Sequence, residues 1–177
     1  VMAPAMVQAG HDVVGLDTDL YRRSTFGPWQ ESIRTLEKDV RAVEVADLRG
    51  FDAVVHLAAL SNDPLGDLNP DLTYDINHLG SVRLAELSRS LRIRRFVYTS
   101  SCSVYGVGTG DDVKTEASEP NPQTAYARCK VLVERDVGGL AGDDFSPIFL
   151  RNATAYGASP RIRFDLVLNN LSGLAWT

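Results

Sequence analysis

Cysteine and histidine are scarce in this chain of 177 residues, which has only Cys102 and Cys129 and three histidines. None of them falls at metal-ligand spacing, so the sequence offers no zinc site or other metal centre. The two cysteines read as buried free thiols in a reducing cytosol, and a cytoplasmic location is expected. Apolar runs are short: none approaches the roughly 20 residues that cross a bilayer, and no secretory signal opens the chain. Positive charge is in deficit, with 18 Lys and Arg against 23 Asp and Glu, a net charge of −5. A nucleic-acid backbone usually demands a basic face, so no such partner is expected. Internal repeats, low-complexity tracts and linker-like shifts in composition are also missing.

What the chain does contain is an alternation of short apolar runs with longer helical patterns. A helix over "MAPAMVQA" ends at Gly10, and "HDVVGLD" follows it as a strand from His11 to Asp17. Further strands are expected at Phe51 to Ala59, Arg94 to Ser101 and Ser146 to Ala153, with a weaker one at Arg34 to Val40. Their near-continuous apolar character suits strands buried on both faces. The stretch "PDLTYDINHLGSVRLAELSRSL" repeats Leu72, Ile76, Leu79, Val82 and Leu87 at helical spacing, which places those residues on a core-facing stripe. Further helices are expected from Thr124 to about Leu140 and from Asp165 to Ala175. This order predicts an α/β fold, a doubly wound, Rossmann-like parallel sheet with helices on both faces. Such a fold normally begins with a strand and a G-x-G-x-x-G turn, because those glycines let the backbone approach a pyrophosphate. Neither precedes the first helix here. Residues 1–177 therefore read either as an incomplete dinucleotide-binding domain lacking its first strand and glycine-rich loop or as a fold that binds no nucleotide.

Ligands of such sheets lie at the carboxyl ends of the strands. Asp17 sits at one, where a carboxylate can accept from adenosine ribose hydroxyls or simply shape a turn. Asp39 and Val40 offer an acceptor and an apolar neighbour for an adenine, or an ordinary loop. Ala58 and Ala59 are small enough for close approach by a cofactor or by a helix. His56 reads as a packed core histidine. Asn77, unfavourable inside a helix, needs a specific partner, either backbone or a site water. "YTSSCSVYG" brings hydroxyls to the end of a strand, and "YARCK" sets Tyr126 four residues before Lys130. Four residues is one helical turn, so both point the same way. A neighbouring ammonium favours the phenolate and makes tyrosine, with an ordinary pKa near 10, a usable base near neutral pH.

In this order, "GLD", "KDVR", "VVHLAA", "NHLGS", "FVYTSSCSVYG", "YARCK" and "FLRNATAYG" resemble the extended short-chain dehydrogenase/reductases. The resemblance is to the NAD-dependent nucleotide-sugar epimerase/dehydratase branch, UDP-sugar 4-epimerases in particular. It implies NAD as the cofactor, a nucleotide sugar as the substrate and a homodimer for the full-length form. Ser101, Tyr126 and Lys130 are implied as catalytic residues, with Asn77 beside them. Asp17, Asp39, Val40, Leu57, Ala58, Ala59, Thr99, Tyr126 and Lys130 are implied as cofactor contacts, and Ser101 and Tyr126 as substrate contacts. Arg161 and Arg163 are further candidates, for the substrate diphosphate. The resemblance also implies a first strand before Val1 and a substrate-binding region after Thr177, into which residues 160–177 lead. Residues 1–177 alone are then expected to be inactive. Thr154 and Ala158 stand where relatives carry Asn and Pro. Dehydratases of the branch carry an Asp and a Glu as acid and base where this chain has Cys102 and Ser103, neither of which supplies a carboxyl. That favours epimerisation by transient oxidation to a keto-sugar. A net reductase or dehydrogenase and a non-catalytic dinucleotide-binding scaffold are the rivals.

Overall fold

The structure is a computed structural model, and it describes residues 1–26, 33–61, 68–108 and 113–176. The chain forms two compact units, Val1–Asp39 with Thr154–Thr177, and Val40–Ala153.

In the first unit, helix α1 (Met2–Gln8) leads to strand β1 (Val14–Asp17), which pairs in parallel with β2 (Arg34–Glu37). The end of α1 follows from one glycine. Gly10 adopts φ +89°, a left-handed conformation open to glycine at little cost. This lets the Gly10 N–H reach the Val7 carbonyl and the His11 N–H reach the Met6 carbonyl, the paired bonds of a Schellman cap. Helix α6 (Val167–Trp176) completes the unit with its Leu168, Leu171 and Leu174 exposed.

The second unit opens with a 3-10 turn (Val40–Ala42) and the short helix α2 (Val45–Leu48). Glu44 and Asp47 form a reciprocal capping box at the start of α2. The unit is built on a parallel sheet of order β3-β4-β5: β3 (Ala53–His56), β4 (Arg95–Ser101) and β5 (Ser146–Asn152). Between β3 and β4 lie α3 (Pro70–Tyr74), a π-helical turn (Asp75–Leu79) and α4 (Gly80–Ser90), running on as one rod. Between β4 and β5 lie a 3-10 turn (Cys102–Tyr105) and α5 (Ala125–Gly138). Thr124 caps α5 by accepting the Ala127 N–H at 3.1 Å.

Along β4 the residues Phe96, Tyr98 and Ser100 are buried, while Val97, Thr99 and Ser101 are only partly so. The core gathers Phe96, Tyr98 and Phe145 with Leu84, Ala127, Val133 and Val137 from the helices. Each large apolar side chain so buried is worth about 1.5–3 kcal/mol. The expectation of strands buried on both faces is corrected for β5, where Ile148 and Leu150 are exposed. Strand order explains this: two successive crossovers of one hand and one direction put their helices on the same face.

The expected stripe on the β3–β4 rod is also corrected. Leu72 is 39% and Leu79 57% exposed, whereas Thr73, Asn77, Ser81, Leu84, Ala85 and Ser88 are buried. Small residues let the rod approach closely, and its hydroxyls satisfy themselves. Thr73 Oγ1 donates to the Asn69 carbonyl, Ser81 Oγ to Asn77 and Ser88 Oγ to Leu84.

Candidate active site

Helix α5 packs against β4 and against the Cys102–Tyr105 turn that follows it. Its Tyr126 and Lys130 lie at the carboxyl end of the sheet. Lys130 is 2% exposed. Its Nζ donates to the Thr99 carbonyl at 2.6 Å and lies 5.3 Å from the centre of the Tyr126 ring and 4.5 Å from that of Tyr98. Burial disfavours the ammonium and brings the Lys130 pKa down to about 8, against the opposing pull of Cys129 and Glu134. At neutral pH the group is still mostly charged, a cation held between two aromatic rings. Ser101 closes β4 two residues beyond Thr99. Its hydroxyl accepts the Ser103 N–H and donates to the Ser103 hydroxyl, both at 3.1 Å, so it caps the turn. Thr99 itself spends its side chain on the His56 carbonyl of β3, at 3.1 Å.

Behind these residues runs a chain of buried polar groups. His56 Nε2 lies 2.8 Å from Ser81 Oγ. The one proton of that hydroxyl goes to the Asn77 carbonyl at 2.7 Å, so the imidazole must be the donor, protonated on Nε2. Burial, with Lys130 nearby, drives the His56 pKa down to about 3. It is a neutral core histidine, as read from the sequence. Asn77 is fully buried inside the π-helical turn, a feature frequent at functional sites. Its partner here is backbone, one of the two expected. Oδ1 accepts the Leu60 N–H at 2.7 Å and Nδ2 donates to the Leu60 carbonyl at 3.0 Å. Asn77 thus pins the loop after β3, on which Leu57 and Ala58 are exposed and Ala59 is partly buried.

Val40 is buried, against Gly80 at the start of α4. The cysteines differ from expectation: Cys129 is buried, but Cys102 is exposed because it stands at the outer corner of the turn after β4. Burial raises the Cys129 thiol to about 11, so it stays neutral beside Lys130. Tyr98 is buried too, and burial pushes its phenol well above the ordinary range.

Asp17, Asp39, Arg161 and Arg163 belong to the first unit. Asp17 ends β1, where Oδ1 accepts the Asp19 N–H at 2.8 Å; both readings of this carboxylate, turn and acceptor, fit its place. Asp39 is partly buried. Arg161 donates to Asp19 Oδ1 at 2.7 Å and to Thr25 Oγ1 at 3.0 Å, and Arg163 pairs with Asp165. Both guanidinium groups considered for a diphosphate are thus already matched by carboxylates.

Sequence reading missed a cluster beside the site. Glu134, one turn beyond Lys130, forms an ion pair with Arg151 of β5 at 2.7 Å and accepts from Ser100 Oγ. Arg151 also donates to the Tyr105 hydroxyl at 3.0 Å. The four-residue step from Lys130 to Glu134 was the available signal.

A profile of the NAD-dependent epimerase/dehydratase family matches residues 1–172. The chain belongs to that family. Among curated relatives, Protein CapI of Staphylococcus aureus is 27% identical, the match covering 94% of this chain and 53% of that protein. UDP-glucose 4-epimerase 4 of Oryza sativa subsp. japonica is 34% identical over 62% of this chain and 30% of its own length. The structure of MoeE5 in complex with UDP-glucuronic acid and NAD superposes with a TM-score of 0.80 at 28% identity, covering 96% of this chain and 55% of that one. TunA, an NAD-dependent NDP-hexosamine 5,6-dehydratase, gives 0.82 at 28% identity over 99% and 57%. The chain thus spans about half the length of the relatives it matches. These likenesses bear out the Rossmann-like α/β fold and the NAD cofactor. The residues present fit that cofactor. Exposed Leu57 and Ala58 offer an apolar shelf at the end of β3, and Lys130 is a buried cation with more than one proton to donate. Among the described residues, no cluster of His, Cys, Asp and Glu could hold a metal ion and no helix is long and apolar enough to cross a membrane.

Proposed function

We propose that the protein carrying this chain epimerises a nucleotide sugar by transient oxidation to a keto-sugar. Tyr126, as phenolate, takes the proton of a sugar hydroxyl. Lys130 makes that phenolate accessible near neutral pH, because a positive charge beside the ring favours the deprotonated form. Ser101 hydrogen-bonds the same oxygen as it becomes a carbonyl. NAD, held beside Leu57, Ala58 and Lys130, would supply reversible hydride acceptance and would not be consumed. After the keto-sugar turns over, Tyr126 gives its proton back as the alcohol re-forms on the other face.

The observation that carries this reading is the buried ammonium of Lys130, shared between the Thr99 carbonyl and the Tyr126 ring. MoeE5 is described in complex with UDP-glucuronic acid and with UDP-glucose, which makes UDP-hexuronates and UDP-hexoses the first substrates to offer. The lack of a carboxyl at Cys102 and Ser103 favours epimerisation over elimination of water. In the full-length protein, Tyr126→Phe is expected to lower turnover by about 10²–10⁴-fold while NAD still binds. Product NMR should show an epimer of unchanged mass with no net change in cofactor absorbance. Near-normal turnover by the Phe variant would remove Tyr126 from the base role. A product lacking the elements of water would replace epimerisation with dehydration, and stoichiometric NADH would replace it with net oxidation.

A further inference from the structure

Helix α5 presents Tyr126, Lys130 and Glu134 in one stripe at four-residue steps, about 6 Å apart along the axis. Glu134 is mostly buried, with its side chain 12% exposed, and it meets Arg151 in a two-pronged pair. Nε of Arg151 donates to both carboxylate oxygens at 3.1 Å and Nη2 to Oε2 at 2.7 Å. The remaining face of the guanidinium reaches two further segments. Nη1 donates to the Tyr105 hydroxyl at 3.0 Å and to the Glu116 carbonyl at 3.1 Å. Ser100, next to Ser101 on β4, donates to the other side of Glu134. One ion pair therefore holds together the helix of Tyr126 and Lys130, the strand end of Ser101, the Cys102–Tyr105 turn and the loop before α5.

We propose that Glu134 and Arg151 are positioning residues, a clamp that fixes the rotation and height of α5 so that Tyr126 and Ser101 meet the same carbon–oxygen bond. The inference rests on the reading of Tyr126 and Ser101 given above. An ion pair can serve stability alone wherever it joins two elements. This one ties together the segments that carry the reacting groups. Each acts through Tyr126, Lys130 and Ser101.

The test uses the full-length, NAD-loaded protein with Glu134→Leu, Glu134→Gln and Tyr105→Phe. The Leu change removes the carboxylate, the Gln change keeps its acceptor oxygen, and the Phe change cuts one branch and leaves the ion pair whole. Glu134→Leu is expected to lower kcat by about 10- to 100-fold, the scale of a displacement near 1 Å, with KM for the nucleotide sugar and Kd for NAD little changed. Glu134→Gln should restore most of the loss, and Tyr105→Phe should show a smaller fall in kcat alone. Hydrogen exchange should quicken over residues 113–130 while β3 and β4 stay protected. The proposal fails if kcat is unmoved in a protein whose Tyr126→Phe variant is dead. It fails equally if kcat, KM, NAD affinity and protection across the whole unit decline together. Should Glu134→Leu not fold, the Gln and Phe variants carry the same kinetic test. Should Tyr126→Phe stay active, the catalytic reading falls, and the exchange pattern alone decides whether the clamp holds α5.

Discussion

Lys130 is the residue on which stability and chemistry oppose each other, and that opposition can be measured. Its pKa stands at about 8 because burial disfavours the ammonium, against 10.5 for an exposed lysine. Below pH 8 the side chain is charged in the folded and the unfolded chain alike, and the penalty is constant. Between pH 8 and 10.5 the folded chain has released the proton and the unfolded chain still binds it. The unfolded state then holds more protons, so stability rises with pH across this window. The gap between the two values corresponds to about 3 kcal/mol.

Cys129 works in the opposite direction at higher pH. Its thiol is held at about 11 by burial, against 9.0 when exposed, so the folded chain keeps a proton the unfolded one loses and stability falls between pH 9 and 11. A comparison with Lys130→Met removes most of this contribution, because Cys129 is present in both proteins and burial outweighs Lys130 in setting its thiol. Urea unfolding of the intact protein, free of cofactor, would be followed from pH 7.5 to 10.5. The Met variant should be the more stable at pH 7.5, and the wild type should recover about 3 kcal/mol relative to it by pH 10.5. Turnover of the wild type should fall along an alkaline limb near pH 8, as the charge beside Tyr126 is lost. A stability difference that stays flat, or slopes the other way, would falsify the account of Lys130 as a desolvated ammonium.

Asn77→Ala removes both hydrogen bonds to Leu60 and leaves a void in the π-helical turn; a loss of about 2–4 kcal/mol is expected in urea unfolding. NAD affinity should weaken with it, since the loop of Leu57 to Ala59 loses its anchor; unchanged affinity would argue that this loop does not meet the cofactor. Gly106→Ala should cost at least about 2 kcal/mol. At φ +67° the added carbon would fall 2.1 Å from the Asn121 carbonyl oxygen, where neither backbone can give way cheaply. A variant of wild-type stability would mean that the turn after β4 is not held as described.

The features legible in the sequence were those fixed by local chemistry. Gly10 ends α1 because a left-handed residue must follow the helix there, and Thr124 starts α5 because a hydroxyl can take an orphan N–H. Tyr126 and Lys130 share a face because of helical spacing. Strand positions were legible, but their ends were not: apolar character at Phe51 and Ala59 says nothing about where ladder bonds stop. The buried face of the β3–β4 rod was hidden for a different reason. Periodicity counts leucines, whereas close packing selected Ser81, Ala85 and Ser88, small residues that weigh little in a hydrophobic pattern. Partners distant in sequence were out of reach: Arg161 with Asp19, Asn77 with Leu60, and Arg151 with Glu134 are set by topology alone.

Of all these, the burial of Lys130 argues most strongly against a merely structural helix. An apolar side chain such as methionine would fill the same place between the Tyr98 and Tyr126 rings without the cost of removing an ammonium from water. The chain instead keeps the charge and surrounds it with partial compensation. The Thr99 carbonyl accepts one N–H, the Tyr98 ring offers its negative face and Glu134 supplies a nearby charge. These offset the loss only in part, as the lowered pKa records. A scaffold that only held a dinucleotide could place a lysine at the rim, with its amine in water and its full pKa. A cation held dry, close to its tyrosine and near the pH at which it releases its proton, is costly for folding and, in the mechanism proposed above, useful for moving a proton to and from Tyr126.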